Sequence, residues 1–229
     1  MAAKKKADSD GTQRHVDLAV FSRAFLTFQI DSIDARAADM LSRGACPKDL
    51  LDTCRQCMEE IGTKFEAGEY YLPELVVAGE MFTRVSERLE PYIQKDGSTS
   101  AGEIVLGTPK GDIHHLGKDI FKVLAEASGF SVHDLGVDVA PHGFVQKIKE
   151  TGASVLGMSA LITAAFVPMQ EVIQLLETSG LRGRVHVVIG GGVTTKDMAK
   201  RLKADAQTQD AYQGLQIVRS FFSKGKTRR

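Results

Sequence analysis

Residues 103–117 read Glu-Ile-Val-Leu-Gly-Thr-Pro-Lys-Gly-Asp-Ile-His-His-Leu-Gly. The apolar run Ile104–Gly107 has the length of a buried strand, and Leu116 opens a helical pattern that continues to Ala127. Strand, short loop and helix form the repeating unit of a parallel α/β sheet. The loop carries Asp112, His114 and Gly117 in a D-x-H-x-x-G spacing. A carboxylate two residues before a histidine can hold one ring nitrogen, fix the tautomer and make the other nitrogen a better metal ligand. A loop after a first strand also projects from the carboxyl end of the sheet, where open α/β sheets bind ligands.

Working outward, the same alternation recurs. Val132–Leu135, Val155–Met158 and Val185–Ile189 predict further strands, and a short fifth includes Asp205 and Ala206. His142–Glu150, Pro168–Thr178, Thr195–Leu202 and Ala211–Phe222 predict the intervening and closing helices. Near-continuous apolar strands imply a parallel sheet covered on both faces. Residues 102–229 therefore read as a flavodoxin- or Rossmann-like, doubly wound parallel five-stranded domain. Two later motifs fall at strand ends: Ser159-Ala-Leu161 with Thr163, and Gly190-Gly191-Gly192. With His114 they would meet at one edge of the carboxyl face. Glycines there let a large flat or nucleotide-like ligand approach the backbone. Ser159 and Thr163 can donate hydrogen bonds, and Leu161 gives an apolar wall. Taken singly, a glycine run is a flexible turn, Ser159 a common strand end and His114 a solvated loop residue; the joint order points to a slot with a metal-binding histidine at its mouth.

Residues 15–95 read as helices only. Leu18, Phe21, Phe25 and Phe28 form one stripe; Leu51, Cys54, Met58, Ile61 and Phe65 another; Leu75, Ala78, Phe82, Val85 and Leu89 a third. A short helix over Ile33–Ser42 completes a four-helix bundle. Pro47 and Pro73 suit helix starts, and Gly44, Gly68 and Pro91 mark breaks. The polar stretch 94–101 holds a linker at 96–101, and residues 1–14 read as a disordered basic tail.

Lys+Arg and Asp+Glu both number 29, so no basic face argues for nucleic acid. No apolar run reaches membrane length and none follows Lys4-Lys5-Lys6 as a secretory signal would. Cys46, Cys54 and Cys57 fit no disulfide framework, which suits a reducing cytoplasm. Cys54 and Cys57 form a C-x-x-C, but it lies within a helical stripe with no second ligand pair, so a core role is the better reading.

From about Arg36 to Phe222 the chain resembles the corrinoid proteins of methyltransferase systems and is similar to the cobalamin module of methionine synthase. The matching residues are Gly68-Glu-Tyr-Tyr-Leu-Pro-Glu-Leu75 with Ala78 and Met81, Gly111 to Lys118, Asp134-Leu-Gly-Val-Asp-Val139 with Pro141, Gly157 to Thr163, Gly190 to Gly192, and Asp205 to Ala211. The resemblance implies that His114 ligates cobalt from below, with Asp112 tuning it. Gly111, Asp112, Ile113, His114, His115, Leu116, Gly117, Ser159, Leu161, Thr163 and the three glycines would contact cobalamin, and Asp210 and Ala211 its nucleotide tail. The bundle would be a cap over the upper face, through Tyr71, Ala78 and Met81. Three positions depart from the family: His115 stands where aspartate is frequent, Ala165 where methionine synthase has a relay serine, and Lys203 where glycine often precedes Ala204.

The function so implied is that of a cobalamin-carrying subunit of a multi-component methyltransferase. Cob(I)alamin would take a methyl group from a donor-side methyltransferase, and methylcobalamin would pass it to an acceptor-side, tetrahydrofolate-linked one. A reductive activase would be a further partner; nucleic acid and membrane would not. The resemblance leans towards aromatic methyl ether O-demethylation, with methylamine, methanol and glycine betaine systems as alternatives. A cobalamin-binding sensor or regulator ranks second, because no helix-turn-helix precedes residue 30. A mutase subunit is disfavoured by the cap, and a cobalt-free flavodoxin-like domain by the Asp112–His114 pair.

Overall fold

The protein, a computed structural model, is described over residues 9–93 and 100–224. It divides into two compact units between Thr99 and Ser100.

The first unit contains α1 (Ser9–Leu26), α2 (Ile30–Ser42), α3 (Pro47–Glu66) and α4 (Leu72–Ile93). Helix α3 packs on α1 and α4, and α2 on the same two, which makes a four-helix bundle. The third stripe is as expected: Leu75, Ala78, Phe82, Val85 and Leu89 of α4 are all buried, and Met81 joins them. Cys46 is extended and Pro47 takes the first helical position, where its missing N–H costs nothing.

Four expectations are corrected. Residues 9–14, read as tail, belong to α1; residues 1–8 lie outside the described part. Phe28 is not on the α1 stripe: the helix ends at Leu26, and Phe28 takes a left-handed φ of 55° in the turn. Its ring instead meets Tyr70 edge-on, with centroids 5.5 Å apart. In α3 Leu50, not Leu51, is wholly buried. Helix α4 runs through Pro91, because a proline in the last turn removes only one carbonyl's partner.

The second unit holds β1 (Glu103–Gly107), α5 (Leu116–Ala127), β2 (Ser131–Asp134), α6 (Pro141–Thr151), β3 (Val155–Ser159), α7 (Phe166–Thr178), β4 (His186–Gly190), α8 (Lys196–Leu202), β5 (Ala206–Thr208) and α9 (Ala211–Lys224). All neighbouring strands are parallel, in the order β2-β1-β3-β4-β5. This is the flavodoxin order, with its switch point between β1 and β3. Residues 96–99 of the expected linker, and 94–95 before it, lie outside the described part. Ser100 and Ala101, also expected in the linker, already belong to this unit: Ala101 N–H donates to Gly129 O over 2.9 Å.

Alternate strand residues divide between two layers. Val105, Leu156, Met158, Val187 and Ile189 pack with Phe144, Ile148, Met169, Val172 and Leu176 of α6 and α7. Leu106, Val155, Gly157 and Val188 face the other way, where α5 and α9 pack against each other. Small residues on this second face leave the layer incompletely filled. Among the described residues no helix is long and apolar enough to cross a membrane.

Candidate functional site

The loop from β1 to α5 is folded by its own polar groups. Thr108, wholly buried, donates its hydroxyl to His114 O over 2.9 Å. Asp112 N–H donates to Pro109 O, and Gly111 turns the chain at φ +88°. These contacts bury Asp112 completely while leaving the His114 side chain 50% exposed.

The Asp112 carboxylate is fully used. Oδ1 lies 2.7 Å from His114 Nδ1 and accepts the His114 N–H over 3.0 Å. Oδ2 accepts the N–H groups of Leu161 and Ile162 over 2.7 and 3.1 Å. Burial alone would raise the pKa of Asp112, but the His114 and Leu161 amides, the imidazole and the Ile162 amide outweigh it and hold the carboxyl below its ordinary value. An ionised carboxylate only accepts hydrogen bonds, so the proton of a neutral His114 ring sits on Nδ1. Nε2 then keeps its lone pair on the exposed side of the ring. That is the state a metal ligand requires.

Around His114 the carboxyl edge is apolar. Ile113, Leu116, Leu161 and Ile162 expose 69%, 55%, 50% and 38% of their surface. Such a surround suits a large apolar ring system lying over the imidazole. Thr163 opens the short 3-10 turn Thr163–Ala165 and is exposed at the same edge. Ala165 is buried, and among the described residues no hydroxyl bonds the Asp112 carboxylate.

Beside this edge a narrow groove of about 90 Å³ runs between the sheet and helices α5 and α9. Gly157 and Ser159 of β3, Gly190 and Gly191, Ala211 and Gly214 are among its walls, with Leu106, Phe121 and Val188 as its apolar sides. Register pairs Ser159 with Gly190, and Gly190 with Thr208, so the three strand ends stand side by side. Gly191 is required by the chain itself: φ is +95°, and a Cβ there would stand 2.1 Å from Ala160 O. At Gly190 a Cβ would meet Thr208 O at 3.4 Å, which is ordinary contact, so the space in front of that residue is open to a ligand.

Residues not singled out from the sequence shape this loop. Thr194, wholly buried, donates to Gly191 O, and Gln207 and Gln209 donate to Thr194 O. Asp210 caps α9 by accepting the Gln213 N–H over 2.7 Å. Lys118, 3% exposed, reaches Asp119 and Asp134 at 2.7 Å each. Burial would lower its pKa, but the two carboxylates keep it raised and charged. His115 turns away from His114 to pair with Asp119 over 2.6 Å.

The structure thus brings together Gly111 to Gly117, Ser159, Leu161, Gly190, Gly191 and the Asp210-Ala211 pair on one side of the second unit. Gly192 stands next to them, and its Cβ would touch Leu161 at 3.1 Å. Within the bundle the three expected cap residues separate. Tyr71 is 67% exposed, whereas Ala78 and Met81 are wholly buried on the core stripe of α4. Leu72 and Val76 expose 46% and 41% beside Tyr71; their i, i+4 spacing was the available signal. Tyr71 itself is held by its N–H donating to Glu74 Oε2 over 2.9 Å.

Among the described residues no three His, Cys, Asp or Glu side chains cluster as a self-sufficient metal site. Cys54 and Cys57 lie in the bundle core, and burial raises both thiols above their ordinary value, that of Cys54 strongly.

Two family profiles match, each described as a B12 binding domain, over residues 102–215 and 18–90. A corrinoid protein of Desulfitobacterium hafniense is 36% identical over 77% of this chain and 85% of its own length. Dimethylamine corrinoid protein 3 of Methanosarcina acetivorans is 38% identical over 67% and 72%. The crystal structure of a cobalamin-binding protein from Desulfitobacterium hafniense superposes with a TM-score of 0.67 at 32% identity, covering 89% of this chain and 97% of that one.

Proposed function

This chain belongs to the corrinoid, B12-binding proteins of methyltransferase systems, and from that membership we propose that it carries a methyl group between two separate methyltransferases. The observation that carries the reading is the buried Asp112 carboxylate holding His114 Nδ1 at 2.7 Å, in the loop that leads to Gly117 on the wall of the glycine-lined groove.

The residues present fit cobalamin on two grounds. His114 offers one unprotonated nitrogen from a half-exposed ring, which suits a metal whose other positions are filled by its own macrocycle. The groove is narrow, mostly apolar and open in front of Gly190, which suits a flat aromatic group. Bound cobalamin would supply the cobalt centre that takes up and gives up the methyl group.

The chain's own residues do the rest. His114 Nε2 would ligate the cobalt, and Asp112 keeps the proton on Nδ1. Leu161 and Ile162 hold the far side of Asp112 with two backbone amides. The position of the relay serine is Ala165, so the Asp112–His114 pair acts without a hydroxyl proton donor. Ile113, Leu116 and Leu161 form the apolar floor that excludes water. Tyr71 is the expected cap residue whose side chain the bundle leaves available to a ligand.

For the methyl donor we favour a methylated amine, because relatives at 36–39% identity are named for dimethylamine and trimethylamine. No feature of the described residues favours an aromatic methyl ether. The test is transfer itself. The chain is reconstituted with hydroxocobalamin, reduced, and given methyl-labelled dimethylamine with a dimethylamine methyltransferase. Parallel mixtures contain methanol or an aromatic methyl ether with the matching methyltransferase. Label on the protein from dimethylamine alone supports the proposal. Label from the ether alone reassigns the donor, and no label on a cobalamin-loaded chain rejects the carrier reading.

A further inference from the structure

We infer that Asp138 is a positioning residue for the Asp112–His114 pair, an inference that rests on the reading of His114 as the lower ligand. Asp138 lies after β2, in a segment that runs alongside residues 108–112. Thr108 N–H donates to Gly136 O, Val139 N–H to Thr108 O and Lys110 N–H to Val139 O, over 2.9, 3.0 and 2.9 Å. At the end of this ladder Asp138 N–H donates to Asp112 O over 3.0 Å. Its Oδ1 accepts the Gly111 N–H over 2.7 Å. One residue therefore grips both ends of the Gly111-Asp112 dipeptide.

The backbone shows what this grip requires. Gly111 and Asp138 face each other with φ of +88° and +54°. A non-glycine residue in this region is uncommon, and Asp and Asn are the side chains that tolerate it, through local hydrogen bonds. Here the carboxylate serves a partner 27 residues earlier in the chain. Asp112 must meet four groups at once: the amide and ring of His114 and the amides of Leu161 and Ile162. A rotation of the Gly111-Asp112 backbone would break that set. Asp138 fixes the rotation from outside the site without touching His114.

Three variants separate a side-chain grip from a backbone preference. Asp138→Gly keeps the left-handed backbone and removes the carboxylate; Asp138→Ala removes both; Asp138→Asn keeps an acceptor and tolerates the conformation. Amide hydrogen exchange is read by NMR on the full chain without cofactor. The reporting amides are His114, Leu161 and Ile162, which bond Asp112 and not Asp138. The expected result is exchange about tenfold faster at these amides in the Gly and Ala variants, the equivalent of one lost hydrogen bond to a charged group. The Asn variant should exchange at the wild-type rate. With hydroxocobalamin, the Gly variant should show a smaller fraction of the histidine-ligated spectrum than the wild type. Wild-type exchange in the Gly variant would overturn the positioning role, as would slowing restored by Gly but not by Asn. If the wild type retains no cobalamin, the ligand reading falls, while the amide rates still decide whether Asp138 positions Asp112.

Discussion

His114 Nδ1 lies 2.7 Å from Oδ1 of Asp112, a carboxylate with no exposed surface beside a ring that is half exposed. One member is sealed in the protein and the other offers its free nitrogen outward. Removing Asp112 should therefore cost both stability and ligand strength. Asp112→Ala leaves the amides of Leu161 and Ile162 without acceptors, for a loss of about 1–3 kcal/mol by denaturant titration. Cobalamin affinity should fall by about 10- to 100-fold, the usual effect of removing such a supporting partner.

The same carboxylate gives a pH signature. Its folded pKa is depressed, so its contribution to stability is complete above the unfolded value of about 3.9 and is lost as pH falls through the folded value. The stability gap between wild type and Asp112→Ala should shrink as pH falls below about 4. A gap that widens as pH falls below about 4 would contradict the depressed pKa.

Gly191 and Gly192 are adjacent yet should respond differently. Gly191→Ala forces a left-handed alanine whose Cβ would strike the Ala160 carbonyl, whereas at Gly192 only the flexible end of Leu161 must move. Thermal unfolding should show a loss of at least about 1–3 kcal/mol for Gly191→Ala and a clearly smaller one for Gly192→Ala.

The bundle residues divide in the same way. Met81→Ala should cost about 2–5 kcal/mol as a core cavity. Tyr71→Ala, at an exposed side chain, should change stability by less than about 0.5 kcal/mol. Any change in cobalamin retention or photostability in the Tyr71 variant then reports a contact with the cofactor and not damage to the fold.

Native thiol labelling should modify Cys46, which is partly exposed, and spare Cys54 and Cys57. Burial keeps the latter two protonated as well as covered. Mass spectrometry before and after unfolding checks this, and labelling of the C-x-x-C pair in the native state would reopen a redox role.

Much of this was legible in the chain because it is local. A continuous apolar run from Ile104 to Gly107, and a period near 3.6 from Leu116, mark strand and helix to within a residue or two. The D-x-H spacing gave the Asp112–His114 contact because two residues of one loop can hardly avoid each other. What was not legible is contact across the sequence. Leu161 and Ile162 meet Asp112 across 49 and 50 positions, and Asp138 meets Gly111 across 27. Neither amide bonds nor a left-handed aspartate leaves a mark in hydropathy. Phe28 shows the opposite failure: its spacing continued the α1 stripe, but the helix stops at Leu26. Ala78 matched a family pattern for a cap while its place on the Leu75–Leu89 stripe already put it in the core; Met81, off that stripe, is buried as well.

The most direct test of the account is the ultraviolet-visible spectrum of the protein after loading with hydroxocobalamin and desalting, for wild type and His114→Ala. The account predicts that wild type retains close to one cobalamin per chain and that the variant either loses it or shows a shifted spectrum. Identical spectra from both proteins would contradict His114 as the lower ligand, and a wild type that retains no cobalamin would contradict the site as a whole.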